Sequence, residues 1–296
     1  MTVHPTVLRR TLVTGRRQES SARSLVFQVA LLLCVLVALL ALASLLFDVF
    51  RDGLGRINRD FLTRLDSRLA ARAGIRSPLV GSIWLMGLVA LTSFPLGVGA
   101  AIYLEEFASK NRLTSFIEVN VANLAGVPSV VYGLLGLAVF VRFMNLGRSV
   151  LAGALTLTLL ILPVIIVAAR EALRAVPDSI RQGSLAVGAT QWQTVWGQTL
   201  PAAMPGILTG MILGLSRAIG ETAPLITLGA LTYVNFVPSH PLDRFTALPL
   251  QIYNWVTRPQ EAFQEAAAAG IILLLALLLV MNAAAVLLRN RFERKW

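Results

Sequence analysis

The sequence predicts an all-α membrane protein with six transmembrane helices. Of its 296 residues, 56% are hydrophobic and only 14% are charged, whereas average soluble domains carry about 25% charged residues. Six apolar segments approach or exceed the roughly 20 residues that a membrane-spanning helix needs. A chain this apolar cannot bury its side chains in one ordinary water-soluble core, so the bilayer is its expected surroundings.

The six predicted spans alternate with hydrophilic segments along the chain. The first contains no charged residue, the second is interrupted by Pro95, and the fifth passes Arg217 and Glu221. An even number of spans puts both ends of the chain on one side of the membrane. The predicted ranges, in order, are 25–47, 80–104, 124–141, 150–169, about 204–231 and 266–288.

The first predicted span has an alternative interpretation as a secretory signal peptide. Arginines precede it, and Ala41-Leu42-Ala43 resembles a cleavage site. The apolar run continues through Leu45 to Phe47, however, and is longer than a usual signal-peptide core. We therefore predict a retained anchor. The preceding arginines are Arg9, Arg10, Arg16, Arg17 and Arg23.

The placement of lysine and arginine predicts the orientation of the spans. With the N-terminal segment inside, the inside segments hold 14 of these residues and the outside segments hold 11, while Arg217 lies within a span. This excess favours a basic cytoplasmic N-terminal segment (1–24) and a basic cytoplasmic tail (289–296).

The predicted extracytoplasmic loop, residues 48–79, has an unusual charge content of seven arginines and four aspartates. Two interpretations are open. The loop is either an electropositive funnel for an anion, or a mixed-charge surface segment that lies on lipid headgroups, where the aspartates dilute the field.

Composition also limits the function. The net charge of +11 would suit a nucleic-acid partner, but the basic residues flank apolar runs, where anionic lipid and topology control explain them. Cys34 is the single cysteine, and His4 and His240 lie far apart, so neither a metal site nor a catalytic residue is predicted. No G-x-x-x-x-G-K-[ST] phosphate-binding loop occurs. We therefore predict that this chain does not hydrolyse ATP itself.

The hydrophilic loop between the fourth and fifth spans, residues 170–201, indicates a docking element. Pro177 ends one helix, and residues 180–187 follow an amphipathic helical pattern. Gly188 and Ala189 then permit a tight turn. A short helix with a small-residue face, outside the membrane, suits docking into the groove of a partner. The residues of that face are Ile180, Gly183, Ser184 and Val187.

This loop resembles the EAA loop of ABC importer permeases, whose pattern is Glu-Ala-Ala, three residues, Gly, nine residues, Ile, one residue, Leu-Pro. Gln182-Gly183-Ser184 occupies the Glu-Ala-Ala positions, Gly188 is the glycine, and Leu200-Pro201 closes the pattern. Gln182 and Gln198 stand where the pattern has Glu and Ile. The resemblance implies that this loop couples the chain to a separate ATPase. The residues implied in that coupling are Gln182, Gly183, Ser184, Gly188 and Ala189.

The fifth span contains a second motif, Gly220-Glu221-Thr222-Ala223-Pro224, preceded by Arg217. Arg217 and Glu221 are four residues apart and share one helix face. Charged residues within a span usually face a pathway or a partner, and a guanidinium offers planar donors to a tetrahedral oxyanion. Arg217 therefore either lines an anion path tuned by Glu221 or forms an ion pair that sets helix packing. Pro224 is expected to break the helix just beyond.

This motif resembles the phosphate-permease subfamily of the ABC importers, and its A-type (PstA-like) subunit in particular. Three further stretches agree with it, residues 102–108, 123–133 and 170–177, and the resemblance covers roughly residues 79–296. It implies a type I (MetI-like) permease core of five helices over residues 80–288. It also implies a multi-pass protein of the bacterial plasma (inner) membrane with both termini cytoplasmic.

The same resemblance implies partners and a mechanism. The partners would be a PstC-like permease subunit in a heterodimer, two PstB-like ATPase subunits and a PstS-like phosphate-binding protein. ATP and Mg would be bound by the partner subunits, and this chain would carry no cofactor. Inorganic phosphate would cross by alternating access, driven through the EAA loop.

Two more positions have open interpretations. Pro128 follows Gly126-Val127 and is expected to open a helix, which is either a waypoint for an anion or only the geometry of helix entry. Arg170 is expected at the cytoplasmic end of the fourth span. It either meets an exiting anion or anchors the helix at the headgroups.

Three other functions are kept as alternatives. An ABC permease for sulfate, molybdate or phosphonate would share the fold but differ in substrate. An ion-coupled carrier should show inverted repeats with paired broken helices, and the sequence has no clear second copy of the 217–224 pattern. A membrane sensor would need a substantial soluble domain, whereas the longest hydrophilic stretches have about 30 residues, too few for a separate globular domain.

Overall fold

The structure is a computed structural model that describes residues 21–230 and 233–292. Regular secondary structure in these ranges is helical, apart from an isolated bridge between Ser149 and Arg244. In chain order the α-helices are α1 (Ser21–Gly53), α2 (Arg59–Thr63), α3 (Arg76–Ile102), α4 (Arg112–Leu124), α5 (Ser129–Gly136), α6 (Val150–Arg174), α7 (Asp178–Ala186), α8 (Gln191–Thr194), α9 (Leu200–Gly220), α10 (Ala223–Leu228), α11 (Leu248–Val256) and α12 (Glu261–Phe292). Three π-helical segments are π1 (Tyr103–Phe107), π2 (Leu137–Phe143) and π3 (Val195–Thr199), and two 3₁₀ turns are Leu54–Arg56 and Ala70–Arg72.

The chain divides into two units, residues 1–49 and residues 50–296. The described part of the first unit belongs to α1, a helix of 33 residues. At about 1.5 Å per residue such a helix is longer than the roughly 30 Å hydrocarbon core, and it contains the predicted first span. The arginines from Arg9 to Arg17 lie outside the described residues. Retention of this helix as an anchor stays a prediction.

Five helical segments are long and apolar enough to cross a membrane, and one bent pair of helices raises the number to six if it counts as one span. The predicted all-α membrane fold is therefore confirmed. The bent pair corresponds to the third predicted span. The five single segments are Ser24–Arg56, Arg76–Phe107, Val150–Arg174, Gln191–Gly220 and Glu261–Arg291.

The third predicted span is not a straight helix from 124 to 141. Helix α4 ends at Leu124, and the chain then turns by 105° before it continues through α5 and π2. Pro128 stands at the N-cap of α5, in an extended conformation that no helix could continue through. The Tyr132 hydroxyl donates a hydrogen bond of 2.8 Å to the Leu124 carbonyl and so ties the two helices together across the bend.

The fifth span ends earlier than predicted. Helix α9 stops at Gly220, and Glu221 is extended, with φ −77° and ψ 112°. Pro224 is the reason, because its ring would clash with the Gly220 carbonyl in a continuous helix. The chain then starts a new helix, α10, with Pro224 in its first turn. The apolar run seen in the sequence is therefore one long helix followed by a short one.

In the second unit the spans α3, α6 and α9 pack side by side around a common core. Close contact between α6 and α9 depends on small residues. A Cβ added at Gly206 would lie 2.7 Å from the Ala172 Cβ, and one at Gly210 would lie still closer to the Ala168 Cβ. The glycines at positions 206 and 210 therefore allow the two helix backbones to come close together.

The predicted extracytoplasmic loop forms a folded layer with its own core. Phe61 and Ile75 are buried against Trp255 of α11 and Phe263 of α12. Asp66 is also buried, and this burial raises the pKa of its carboxyl above the usual range. Folding therefore favours the protonated form of this carboxyl. The stability that the protonated carboxyl contributes is fully present below its unfolded-state pKa and is lost as the pH rises through its folded-state pKa.

Sequence patterns did not predict this layer, because its apolar residues are scattered among arginines. Two of those arginines have an aspartate within ion-pair distance. Arg51 lies 3.2 Å from Asp52, and Arg64 lies 2.7 Å from Asp60. These surface pairs weaken the positive field of the layer.

Candidate functional site

Helix α7 and the turn after it form a short protrusion that follows the end of span α6. The helix starts directly after Pro177 and ends at Ala186. Gly188 then adopts a left-handed conformation, with φ +88°, which residues with a side chain rarely adopt. The Ala189 amide donates to the Ser184 carbonyl at 3.2 Å and closes the helix end.

One side of this protrusion is exposed and apolar. The Val187 side chain is 85% exposed and that of Leu185 is 50% exposed, while a Cβ added at Gly183 would meet nothing within 4 Å. Large exposed apolar side chains outside a span indicate a surface that binds a partner. We call this set the coupling surface, and it consists of Gln182, Gly183, Leu185, Ala186, Val187 and Gly188.

The small-residue face predicted from the sequence is divided in the structure. Ile180 packs on the core formed by the ends of α3, α6 and α9. The Ser184 hydroxyl lies 2.9 Å from the Thr194 hydroxyl and is thus turned toward the protein. Gly183 and Val187 are exposed instead, and Leu185 joins them. Ile180 and Ser184 are about one turn apart and face the protein, whereas Gly183 lies about 100° from Ser184 around the same helix and faces away.

Arg181 fixes α7 to the rest of the protein. Its guanidinium donates to Glu106 in π1, with Nη2 2.8 Å and Nε 3.2 Å from the same carboxylate oxygen. It also donates to the backbone carbonyls of Val176 at 2.7 Å and Leu173 at 2.8 Å. The hydrogen bond to Glu106 raises the pKa of Arg181 above its ordinary value. The cation is therefore permanent, and α7 is tied to spans α3 and α6 at once.

A second ion-pair cluster lies beside the first. Arg170 is 8% exposed, and its guanidinium reaches Glu118 of α4 at 2.6 Å and Glu105 of π1 at 3.4 Å. Arg174 also pairs with Glu105, at 2.8 Å. The cluster walls a polar cavity of about 380 Å³ between α4 and α6.

These contacts limit what Arg170 can offer an anion. Its charge faces two carboxylates, so a phosphate at the same place would meet repulsion as well as attraction. Arg170 also lies level with Gly206 and Gly210 along the α6–α9 contact. Arg217 is about nine residues further along α9, or roughly 14 Å at 1.5 Å per residue. The structure therefore does not bring Arg170 together with Arg217 and Glu221.

Arg217 has a different environment, at the last turn of α9 beside the helix break. Its side chain is 42% exposed, and Glu221 is the one ion-pair partner among the described residues, at 3.5 Å. A guanidinium has five N–H donors, so most of its hydrogen-bonding capacity is available. It also lies close enough to the buried Tyr132 to interact with it electrostatically. An incompletely paired arginine within an apolar span suits a pathway or a partner surface.

The two helix breaks lie next to each other. A Cβ added at Gly133 in α5 would be 2.7 Å from the Cα of Pro224 and still closer to the Thr227 hydroxyl. The break at Pro128 and the break before Pro224 therefore belong to one region, which also contains Arg217. Irregular backbone at membrane depth is tolerated where it is buried in protein or lines a water-filled cavity.

Sequence reasoning missed the acidic partners, Glu105, Glu106 and Glu118. A signal was present, since two consecutive glutamates end the second apolar run and such charges need partners nearby. Those partners lie 52 to 75 residues away along the chain, which no local pattern can identify. Within the described residues no group of three or more His, Cys, Asp or Glu side chains is placed to hold a metal ion.

Known proteins are similar to this chain in sequence, and others are similar to it in fold. Residues 93–294 match the family described as "Binding-protein-dependent transport system inner membrane component". The "Probable ABC transporter permease protein YqgI" of Bacillus subtilis is 35% identical over 231 residues, which are 77% of this chain and 76% of that protein. The "Phosphate transport system permease protein PstA 1" of Mycobacterium tuberculosis (strain CDC 1551 / Oshkosh) is 35% identical over 270 residues, or 88% and 84% of the two chains.

A solved structure is similar in fold alone. It is the bacterial alginate ABC transporter in complex with an alginate pentasaccharide-bound periplasmic protein. A chain of that transporter superposes with a TM-score of 0.65 at 16% identity, over 93% of this chain and 97% of the other. The predicted permease fold is thereby confirmed.

Proposed function

We propose a function from the premise that this chain belongs to the family of inner membrane components of binding-protein-dependent transport systems. The chain is a multi-pass permease subunit of an ATP-driven importer, and the substrate that we propose is inorganic phosphate. Several relatives of at least 30% identity, over most of the chain, are phosphate transport system permeases by name.

The observation that carries the choice of substrate is the position of Arg217. Its guanidinium is partly exposed beside the helix break, and Glu221, its one carboxylate partner in the described part of the chain, is 3.5 Å away. A planar cation with free donors can bind two oxygens of a tetrahedral anion at once. At this distance Glu221 accepts only a weak hydrogen bond from Arg217. Its negative charge still attracts the guanidinium and so orients the Arg217 side chain. In our proposal Arg217 lines the path and Glu221 orients it.

Pro128 and Pro224 act in the same region by ending helices. Each proline stands at the start of a helix and interrupts a span, so the first-turn N–H groups of that helix have no partner within it. Phosphate would be partly dehydrated there, and backbone donors would replace some of its water. Arg170 has a different role in this proposal. Its pairing with Glu105 and Glu118 connects α4, α6 and π1, and the connection would break and re-form as the permease changes conformation.

The coupling surface would transmit the work of the ATPase. Its exposed leucine and valine side chains suit an apolar groove in a partner subunit. Arg181 would carry a push on α7 to Glu106 at the end of α3, and through the Leu173 and Val176 carbonyls to the end of α6. The spans would tilt, and the path would open alternately to the two sides. ATP and Mg would be bound by the ATPase subunits.

The proposed complex contains a PstC-like permease, two PstB-like ATPase subunits and a PstS-like phosphate-binding protein. Helix α4 supports the pairing of two permeases, because it buries no residue within this chain and exposes apolar side chains such as Leu113, Phe116 and Val119. The proposed location is the bacterial inner membrane with both termini in the cytoplasm, which follows from the distribution of lysine and arginine.

Transport by the reconstituted complex tests the substrate. Proteoliposomes that contain the four kinds of subunit should take up labelled phosphate only when ATP is supplied, and arsenate should compete because it has the same charge and shape. Sulfate, molybdate and phosphonate should not compete. If one of these anions competes and phosphate is not taken up, that anion is the substrate instead of phosphate. Uptake driven by an ion gradient without ATP would contradict the ATP-driven mechanism and identify an ion-coupled carrier.

A further inference from the structure

A deep apolar groove separates the end of α3 from the beginning of α9. It has a volume of about 690 Å³, within the range of about 300–1,000 Å³ typical of ligand pockets. One wall consists of Phe94, Val98 and Ile102, and the other of Trp196, Leu200 and Met204. The coupling surface contributes no residue to it. The groove is therefore separate from the site at which an ATPase would dock.

Two π-helical segments contribute residues to this groove. Tyr103 and Phe107 belong to π1, and Trp196 belongs to π3, which continues the helix that starts at Gln191. Short π-helical segments are rare and frequently occur at functional sites. The ring centroids of Phe107 and Trp192 are 6.1 Å apart, and those of Trp192 and Trp196 are 5.3 Å apart. Aromatic side chains therefore cluster at one end of the groove.

We propose that this groove binds one acyl chain of a bilayer phospholipid. Its walls belong to segments long and apolar enough to cross the membrane, Arg76–Phe107 and Gln191–Gly220. From Phe94 to Tyr103 the α3 wall extends about 14 Å at 1.5 Å per residue. One leaflet contributes about 15 Å of hydrocarbon, half of the roughly 30 Å core. The length of the groove thus matches a single leaflet.

The two ends of the groove have the polarity that a lipid requires. The aromatic end carries the Tyr103 hydroxyl and the indole N–H groups of Trp192 and Trp196, and such rings are favoured at the level of the headgroups. The ion pair of Glu106 and Arg181 lies immediately beyond it. Toward Phe94 the walls offer no hydrogen-bonding side chain. An extended peptide in this groove would leave its backbone donors and acceptors unpaired, whereas an acyl chain has none.

The chain offers a matched pair of variants for the test. A Cβ added at Gly99, which lines the groove, would meet nothing within 4 Å. Gly99→Leu should therefore start its side chain from open space and extend it into the groove. Gly87 is on the same helix, has the same open surroundings and lies outside the groove, so Gly87→Leu is the control. Met204→Phe fills the same space from the opposite wall without adding a tryptophan, in case Gly99→Leu fails to assemble.

The experiment measures lipid that stays bound after the bulk lipid is removed. The full complex is reconstituted in vesicles of phosphatidylcholine brominated along the acyl chains, then transferred into an excess of detergent without bromine. Bromine quenches tryptophan fluorescence at contact, and Trp192 and Trp196 report on the groove. We expect part of the quenching to persist in the wild type and in Gly87→Leu, and to be lost in Gly99→Leu and Met204→Phe.

Three results would overturn the proposal. Complete recovery of fluorescence in the wild type would mean that no lipid is retained. Persistent quenching of equal size in the filled variants would place the retained lipid elsewhere. In intact vesicles, Trp192→Phe and Trp196→Phe should each reduce the quenching. If they do not, lipid does not reach these two side chains, and a protein segment covers the groove. None of these readings requires transport, so the proposal can fail while the proposed function stands.

Discussion

Replacing Arg217 by alanine is expected to lower ATP-driven phosphate uptake sharply while the complex still assembles. The variant removes the guanidinium beside the break between α9 and α10, and Glu221 loses its partner. A hydrogen bond to a charged group contributes about 1.5–3 kcal/mol, equivalent to roughly 10- to 150-fold in affinity. Uptake at low phosphate should fall by at least about tenfold on that scale.

Two further variants separate charge from shape at this position. Arg217→Lys keeps the cation but loses the planar arrangement of donors, and should retain a minor part of the uptake. Arg142→Ala removes an exposed arginine for which we propose no role, and should leave uptake unchanged. Uptake in reconstituted vesicles, together with copurification of the ATPase, gives both readings. Normal uptake by Arg217→Ala would remove this residue from the anion path.

Replacing Arg181 by alanine is expected to uncouple ATP hydrolysis from transport. The change leaves the largely buried Glu106 carboxylate and two backbone carbonyls without their donor. Breaking a buried ion pair costs about 3–5 kcal/mol, and the partial exposure of Arg181 reduces this to about 2–3 kcal/mol. Helix α7 would still present its coupling surface. It would no longer move together with α3 and α6.

The measured quantity is the number of phosphate ions transported per ATP hydrolysed. Arg181→Ala should lower this ratio about tenfold or more, since the loss of about 2 kcal/mol changes an equilibrium by more than tenfold, while the ATPase activity persists. Asp178→Asn is the control within the same cluster, because Asp178 also pairs with Arg181, at 3.2 Å. Its carboxylate is 83% exposed, and surface pairs contribute about 0–1 kcal/mol. A wild-type ratio in Arg181→Ala would contradict the proposed path of coupling.

The membrane spans could be predicted from sequence because their signal is local. A run of apolar residues such as 150–169 reports directly on transfer into the bilayer, and the structure has a helix from Val150 to Arg174 there. The family resemblance was confirmed for the same reason, since its motifs are short and contiguous. Hydropathy does not report direction, however. The 105° turn before α5 and the end of α9 at Gly220 depended on the two prolines instead.

The electrostatic clusters could not be predicted in this way. Arg170 and Arg174 were visible as charges, but their partners in π1 are more than 60 residues away in sequence. The core of the outer layer was hidden for a related reason. Phe61 and Trp255 pack with ring centroids 5.9 Å apart, although one lies in the arginine-rich loop and the other near the end of the chain. Contacts of this kind depend on the tertiary fold alone.

Site-directed crosslinking tests the central claim, that the coupling surface binds a separate ATPase. Cys34 is the only cysteine, so Cys34→Ser gives a background in which single cysteines can be introduced. Val187→Cys and Gly183→Cys should form crosslinks with the ATPase subunit in membranes, whereas Leu69→Cys, on the exposed outer layer, should not. Crosslinks of Leu69→Cys to the ATPase, with none from Val187→Cys or Gly183→Cys, would contradict the account.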